Sequence, residues 1–181
     1  MSFITVAGLQ DVKIQFKYVS ADYPVIGIGL IGLKQGCNYI VTNNEQTLDR
    51  LMIDPARQGK TIVAPKELYA KYLWDSGIEC LPMFMDLKDH GFDPMAVSQQ
   101  QLALALACWI GSPSIFLVGY QLDSQVETPA LQTFLKLYPL TKFAYIRKPN
   151  PNKIGIFDNY SNIVIEDTDT FQEMIKNVIT S

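Results

Sequence analysis

The sequence predicts an α/β protein whose mainly parallel, Rossmann-like sheet is flanked by helices. Short apolar segments alternate with segments of helical periodicity along the 181 residues, which is the pattern of strand–helix–strand units. Several of the apolar segments show no polar alternation, as expected of strands that helices cover on both faces. No change of composition and no long linker divides the chain, so we expect a single domain over residues 1–181.

The first half of the chain is predicted to alternate strands with helices. Val12, Ile14, Phe16 and Tyr18 alternate with polar residues, a period of two that predicts a half-buried strand. Apolar runs predict the next strands, at residues 24–30, 39–42, 61–64 and 79–84. Apolar residues at helical spacing predict the helices between them, at residues 45–53 and 65–77.

A buried helix and strand are predicted in the middle of the chain. Ser98 is a good N-cap for a helix over residues 99–110, because its oxygen can accept an amide of the first turn. Gly111 suits the left-handed position at which helices end. The body of this helix is apolar all round, so we expect it to be buried. The most hydrophobic strand follows at residues 115–119.

The last third of the chain completes the predicted α/β pattern. A helix is predicted over residues 128–137 and a strand over 143–146. Residues 153–157 and 162–165 are predicted to form an antiparallel hairpin. The final helix is predicted to start at Thr170, because Glu173 follows it at capping-box spacing.

Composition narrows the functional classes. The chain has 15 basic and 18 acidic residues and a net charge of −3, so it lacks the basic footprint of a nucleic-acid binder. No stretch reaches the length of a membrane-spanning helix, and the N-terminus has no signal-peptide pattern, so we expect no membrane. Cys37, Cys80 and Cys108 sit among apolar residues, and an odd number excludes a complete disulfide framework. Three buried, reduced thiols and a cytoplasmic location are therefore expected.

Residues 27–32 match the G-x-G-x-x-G pattern of dinucleotide-binding proteins, with Asp49 at about the expected distance. That function requires a helix that begins inside the motif, because its amides hold the pyrophosphate. A new strand is predicted from Tyr39, which leaves no room for such a helix. We interpret the motif as a glycine-containing buried strand and turn, and we do not expect NAD binding.

Polar residues and glycines follow several of the predicted strands. Ligands of parallel α/β sheets bind at the carboxyl ends of the strands, which narrows the site to four segments, residues 43–44, 64–66, 85–90 and 119–123. Asn43, Asn44 and Gly119 are the candidates in the first and last of them. Gly119 permits close approach of a ligand, Tyr120 can stack on a base, and Asp123 can accept from a ribose or an amine. A plain strand-end turn is the alternative.

The helix start at Ser98 and Gln99 is expected at the same edge. Unpaired N–H groups and the helix dipole attract phosphate or carboxylate there, whereas a plain cap without a ligand is the alternative. The candidate ligand-binding residues are therefore Asn43, Asn44, Ser98, Gln99, Gly119, Tyr120 and Asp123.

Asp86, Asp89 and His90 lie in one predicted polar loop. Carboxylates there can hold Mg²⁺ and present a phosphate to it, and His90, the single histidine of the chain, can act as an acid or base near neutral pH. Asp86 and His90 are therefore the candidate catalytic residues, and an ordinary solvated loop is the alternative. Zinc is not expected, because no second His or Cys has ligand spacing.

The stretch SQQQLALALACWIGSPSIFLVGYQLD, from Ser98 to Asp123, resembles a unit of the MptE-like proteins (6-hydroxymethylpterin pyrophosphokinase-like) and the bacterial sialyltransferases related to them. In that unit a polar cap precedes a helix of small residues and a strand that ends in a G-x-D-L element. The stretch CNYIVTNN, from Cys37 to Asn44, also resembles a strand of these proteins, so the similar region spans residues 25–123. The resemblance implies a Rossmann-like domain that binds a nucleotide or nucleotide sugar and transfers a phosphoryl or glycosyl group.

Two hypotheses follow. The first is a small transferase-like protein that binds a nucleotide-type ligand at the strand ends. The second is a catalytically inactive α/β module that acts through self-association or protein binding. Gln121, an uncharged residue where the related proteins have an acid, favours the second, and the many apolar and aromatic residues would suit a homo-oligomer interface.

Overall fold

A computed structural model describes residues 4–8, 23–122, 126–147 and 157–179, with the side chains described to residue 177. Eight strands form one all-parallel sheet in the order β5-β4-β3-β2-β1-β6-β7-β8. The strands are β1 (Ile4–Ala7), β2 (Val25–Ile28), β3 (Tyr39–Val41), β4 (Thr61–Ala64), β5 (Ile78–Cys80), β6 (Ser114–Val118), β7 (Lys142–Arg147) and β8 (Ile163–Asp167).

Seven α-helices connect the strands of the described region. They are α1 (Gly29–Gln35), α2 (Glu45–Ile53), α3 (Lys66–Tyr69), α4 (Met85–Lys88), α5 (Gln99–Ile110), α6 (Glu127–Leu137) and α7 (Thr168–Ile179). Single 3₁₀ turns follow α2, at Pro55–Arg57, and α3, at Ala70–Tyr72. The predicted α/β class with a parallel sheet is thereby confirmed.

Two apolar layers bury the two faces of the sheet. Alternate residues of β1 point in opposite directions, because side chains of a strand have a period of two. Ile4 and Val6 pack in the layer that contains α5 and α6, whereas Ala7 packs in the layer that contains α2 and Phe171 of α7. The central strands are therefore covered by helices on both sides, which explains their continuous hydrophobicity.

Helix α5 is the most buried helix of the described region. Its residues from Gln100 to Cys108 are all buried, and it packs across β1, β2 and β3. The hydroxyl of Ser98 accepts a hydrogen bond from the Gln101 amide at 3.1 Å, and Gly111 ends the helix with a φ of +82°. The predicted helix, its N-cap and its C-cap are all confirmed, as are α2 and β4 with their predicted bounds.

Several element predictions are wrong in their details. The strand predicted over residues 79–84 ends at Cys80, and the helix predicted over residues 65–77 consists of α3 and a 3₁₀ turn that ends at Tyr72. The predicted strand over residues 24–30 ends at Ile28, because α1 begins at Gly29. The segment with Asp86, predicted as a loop, contains the short helix α4, because Leu87 is buried against the core. The last helix begins at Thr168 and is capped by Asp167, whose carboxylate accepts from the Thr170 amide at 2.8 Å.

Two further predictions fall partly on residues that are not described. The strand predicted over residues 12–18 lies outside the described residues. The first strand of the predicted C-terminal hairpin, residues 153–157, lies outside them except for Phe157, whereas the second lies in β8, which pairs in parallel with β7. No helix of the described region is long and apolar enough to cross a membrane.

The three cysteines are free, but only two of them are buried. Burial raises the pKa of the Cys37 thiol to about 12 and that of Cys108 still further, so both stay protonated. Cys80 is exposed at the end of β5, contrary to the expectation of three buried thiols, because β5 is an edge strand.

Candidate functional site

The direction in which strands are added to the sheet reverses between β1 and β6. The chain adds strands outward from β1 to β5, and α5 then carries it back to β6 on the other side of β1. In open α/β sheets, ligands bind in the crevice outside the carboxyl ends of the strands at such a point. The topology therefore places the candidate site after Ala7 of β1 and Val118 of β6, and we call it the switch-point crevice.

Two glycine backbones touch at the centre of this crevice. The amide of Gly8 donates a hydrogen bond to the Val118 carbonyl at 2.7 Å, and a Cβ on Gly8 would lie 2.3 Å from the Gly119 oxygen. Gly119 has a φ of +65°, which glycine adopts without strain. The ends of β1 and β6 thus pack backbone against backbone, and both glycines are buried.

A third glycine lies where β2 ends and α1 begins. Gly29 has a φ of +47°, and a Cβ on Gly32 would lie 2.8 Å from the Gly27 carbonyl carbon, so the helix packs closely on the strand. The interpretation of residues 27–32 as a strand and turn is therefore wrong, because a helix does begin inside the motif. No side chain caps α1 at Ile28.

The acidic partner expected of a dinucleotide motif is engaged elsewhere. Asp49 lies in α2, accepts a hydrogen bond from Lys71 at 2.8 Å and another from the Tyr72 hydroxyl at 2.6 Å. The hydrogen bond from Lys71 is the main reason that the pKa of Asp49 is lowered, so this carboxylate stays ionised in a surface ion pair. The strand–helix part of the motif is present, but its ribose-binding acid is not at the crevice, and NAD binding is not proposed.

The start of α5 is joined to the ends of two strands. The side-chain NH₂ group of Gln99 donates a hydrogen bond to the hydroxyl of Thr42, which follows β3, at 3.4 Å. The side-chain oxygen of Gln99 lies over Gly29, where it would be 3.1 Å from an added Cβ. The side-chain oxygen of the buried Gln100 accepts a hydrogen bond from the backbone amide of Gln121, which follows β6, at 2.9 Å. These contacts bring the ends of β2, β3 and β6 together around the first turn of α5.

The two asparagines after β3 have structural partners. Asn43 donates to the carbonyls of Pro94 and Val97, at 3.0 and 2.7 Å, and so holds the segment that enters α5. Asn44 is the N-cap of α2, where its oxygen accepts from the Thr47 amide at 2.9 Å. Both lie at the ligand edge as predicted from the sequence, and their side chains stabilise the loops there.

Tyr120 is buried beneath the crevice rather than exposed in it. Its hydroxyl lies 3.3 Å from the Glu127 carboxylate, and its carbonyl accepts from the Tyr145 hydroxyl at 3.0 Å. Burial is the largest reason that the pKa of Tyr120 is raised well above its usual value, so the phenol stays protonated. The Tyr120 ring was expected to stack on a base, but neither of its faces is exposed. Asp123, the other candidate of this segment, lies outside the described residues.

Asp86 is exposed on α4, the short helix between β5 and α5. His90 is exposed in the turn that follows α4. No described hydrogen bond or ion pair joins either of these two candidate catalytic residues to Ser98 or Gly119. Among the described residues, no three His, Cys, Asp or Glu side chains are placed to hold a metal ion such as Mg²⁺.

Three residues of the crevice were missed in the sequence. Gly8 and Thr42 carry no motif of their own, and only the strand order shows that they border a ligand site. Gly29 belongs to a recognised motif, and its significance could have been found if a seven-residue helix had been allowed before Tyr39.

Comparisons with known proteins address the fold. No family model matches the chain, and no curated protein matches it. Among solved structures, the sialyltransferase CstII from Campylobacter jejuni in complex with cytidine-5'-monophosphate is similar, with a TM-score of 0.55 and 16% identity over 97% of this chain and 100% of that chain. The fold is sialyltransferase-like.

Other structures of this enzyme agree. Its complex with CMP-3FNeuAc has a TM-score of 0.54 and 17% identity over 80% of each chain. Its complex with a trisaccharide acceptor and CMP has a TM-score of 0.53 and 14% identity over 97% of this chain and 99% of that chain. The sialyltransferase part of the resemblance expected from the sequence is thereby supported as a fold, and nothing here supports the MptE-like part.

Proposed function

We propose that this protein binds a cytidine nucleotide sugar in the switch-point crevice and uses it as a donor for glycosyl transfer. The observation that carries the proposal is the meeting of Gly8 and Gly119, beside Gly29, at the point where the strand order reverses. The fold adds the ligand class, because similar sialyltransferase structures hold CMP and CMP-3FNeuAc.

The chemistry of the crevice suits the polar and hydrogen-bonding parts of such a ligand. The described residues that border it, Gly8, Gly29, Thr42, Gln99 and Gly119, are all uncharged. The three glycines are buried, and the partly exposed Gln99 side chain, which lies over Gly29, is the group of the crevice that a ligand can reach. The Gln99 amide can both donate to and accept from a base or ribose edge. We therefore propose recognition by shape and neutral hydrogen bonds.

In the proposed reaction, an acceptor hydroxyl attacks the anomeric carbon of the bound sugar, and the bond to the nucleotide phosphate breaks. The hydroxyl proton must pass to a base, and we assign none, because the described residues that border the crevice are all uncharged. The proposal concerns the donor site and the reaction class.

Isothermal titration calorimetry with CMP and CMP-N-acetylneuraminic acid tests donor binding. We expect a Kd below about 1 mM for both, the range in which enzymes bind their substrates, and at least tenfold weaker binding of AMP and GMP. Release of CMP from the sugar nucleotide, followed by NMR with a panel of acceptor sugars, tests transfer. If no cytidine nucleotide binds at about 5 mM, the proposal is wrong.

The catalytically inactive module is the second candidate function. It is favoured by the lack of a charged side chain among the described residues that border the crevice, Gly8, Gly29, Thr42, Gln99 and Gly119. If CMP binds but no acceptor or water releases it from the sugar nucleotide, this second function is supported and the proposed transfer is wrong.

A further inference from the structure

Residues 119–122 follow β6 at the switch-point crevice, and we call them the β6 loop. The first of them, Gly119, packs against Gly8 and has a φ of +65°. Glycine makes this close packing possible, but it also allows more backbone conformations than any other residue. A loop that begins with glycine would therefore lose conformational freedom on binding a ligand, unless other contacts already hold it.

Two buried side chains hold the middle of the β6 loop. The Tyr145 hydroxyl, in β7, donates to the Tyr120 carbonyl at 3.0 Å. The side-chain oxygen of Gln100, in α5, accepts from the backbone amide of the next loop residue, Gln121, at 2.9 Å. Because Tyr145 and Gln100 are buried, these hydrogen bonds form where the dielectric constant is low, and they are stronger there than in water.

Helix α6 holds the β6 loop at two further points. The Thr128 hydroxyl donates to the Leu122 carbonyl at 2.6 Å. The Tyr120 hydroxyl donates to the carboxylate of the buried Glu127 at 3.3 Å. We call these hydrogen bonds, together with those from β7 and α5, the loop clamp. Polar side chains from three elements thus hold one segment of four residues.

The buried hydroxyl of Tyr145 serves the β6 loop rather than its own strand. Phe143 lies on the same face of β7, and both rings pack in the layer that contains α5 and α6. A phenylalanine ring would fill that space without a hydroxyl, whose burial costs free energy unless a hydrogen-bond partner is in place. The partner of the Tyr145 hydroxyl is the Tyr120 carbonyl, one residue after the crevice glycine Gly119.

We infer that Tyr145 is a positioning residue of the switch-point crevice, because its hydrogen bond keeps the β6 loop in the conformation that binds the ligand. The inference rests on the proposed function for the ligand itself. Without the hydroxyl, the loop would populate other conformations as well. The apparent affinity would then fall in proportion to the fraction of molecules that stay competent to bind. Thr128 holds the same loop from α6 and should act in the same way.

Amide hydrogen exchange, followed by NMR without a ligand, tests the loop clamp. The Gln121 amide should exchange at least about tenfold faster in Tyr145→Phe than in the wild type, because local opening exposes it, whereas the amides of β3 should be unaffected. Thr128→Val should have the same effect, and it keeps the test decisive if Tyr145→Phe does not fold. Unchanged exchange at Gln121 in both variants would overturn the inference.

Calorimetry with CMP tests the positioning role. Tyr145→Phe and Thr128→Val should each weaken CMP binding about five- to tenfold, as expected if most molecules leave the competent conformation. Tyr72→Phe and Thr133→Val are the matched controls. Each also removes one hydrogen bond of a hydroxyl, to a side chain of α2 and within α6 respectively, and neither touches the β6 loop. Both should bind CMP as the wild type does, and urea unfolding checks that all four variants are folded.

The outcomes separate this inference from the proposed function. If the wild type binds CMP and both clamp variants bind it equally well, the inference is wrong and the proposed function stands. An equal loss of affinity in the controls also contradicts the inference, because it would reflect a general loss of stability. If the wild type binds no cytidine nucleotide, the proposed function is wrong, and the inference fails with it because Tyr145 has no ligand site to position.

Discussion

Glycine residues shape the crevice because each removes a side chain where two backbones meet. Gly8 and Gly119 are 111 positions apart in the sequence, yet they touch because β1 and β6 are neighbours in the sheet. A larger residue at Gly8 would have to displace backbone, which closely packed interiors resist.

Gly8→Ala tests this contact. The added Cβ would lie 2.3 Å from the Gly119 oxygen, so the variant should lose about 3 kcal/mol of stability, at the upper end of overpacking effects. Urea unfolding measures the loss. Gly36→Ala is the control, because its Cβ would meet nothing within 4 Å, and only its φ of +79° is strained, at about 1 kcal/mol. Equal losses for the two variants would contradict the contact.

Gln99→Glu tests recognition in the crevice. A carboxylate beside Gly29 and Thr42 should repel a nucleotide phosphate, so CMP affinity should fall at least tenfold, or about 1.4 kcal/mol. Gln58→Glu makes the same change of charge before β4, at the opposite edge, and should leave affinity unchanged. Calorimetry on both variants checks the comparison. An unaffected Gln99→Glu would place the phosphate elsewhere.

At the residue scale, the sequence predicted which residues end the elements better than it predicted which residues face a ligand. Asn44 and Ser98 stand at the predicted ends of elements, because capping is a local interaction within three residues. Tyr120 was expected to face a ligand but is buried, since one register position decides whether a strand-end residue points to the crevice or to the core.

Among the elements, α5 holds the crevice together from within the core. Its first turn contacts the ends of β3 and β6, and its body fills the layer against β1 and β2. Substitutions at the start of α5 should therefore be able to change the free energy of unfolding without changing ligand affinity, or the reverse.

Ser98→Ala and Ser98→Asp separate these two effects. The hydroxyl of Ser98 caps α5, so Ser98→Ala should lower the free energy of unfolding by about 1 kcal/mol and leave CMP affinity nearly unchanged. Ser98→Asp keeps the cap but adds a negative charge at the ligand edge, so it should keep stability and weaken CMP binding. Thermal unfolding and calorimetry measure the two properties. If Ser98→Ala weakens binding with full stability, Ser98 is a ligand residue.

The 3₁₀ turn after α2 is joined to the turn before β5 by an ion pair. Arg57 donates to both Asp75 oxygens, at 3.2 and 2.6 Å, and these hydrogen bonds lower the pKa of Asp75. Because the pKa is lower in the folded state, the pair stabilises the fold above the unfolded pKa of Asp, about 3.9, and the contribution is lost as the pH falls below it.

Asp75→Asn should therefore destabilise the protein at pH 7 and much less near pH 2. Allowing for solvent screening, we expect a loss of about 1 kcal/mol at neutral pH. Urea unfolding at several pH values measures it, and Asp158→Asn, an exposed aspartate before β8, serves as control. A loss that does not change with pH would contradict the ion pair as its cause.

Element predictions succeeded where the periodic segment is long. Helices α2 and α5, of nine and twelve residues, show caps and apolar spacing that can be recognised locally. Helices α1 and α4, of seven and four residues, were missed, because helices this short are marginal on their own and form through packing against the sheet.

At the scale of the whole molecule, the strand order defines one candidate ligand edge. The switch-point crevice lies where the strands end, and the first turn of α5 begins there. Its lining comes from segments on both sides of β1, so a ligand bound in it should stabilise the fold.

Thermal unfolding tests this arrangement. CMP should raise the Tm of the wild type, and it should raise the Tm of Gln99→Glu much less, because the variant carries a negative charge in the crevice. An equal rise for the two proteins would contradict the proposed site.

The sequence by itself determined the α/β class, the buried helix α5 with its caps, and most strands. Those features depend on periodicity and capping, which act over a few residues. The tertiary structure decided which segments become neighbours: the strand order joins Gly8 to Gly119 and brings Gly29 and Gln99 beside them. Such contacts depend on packing between distant parts of the chain, and local sequence patterns carry little information about them.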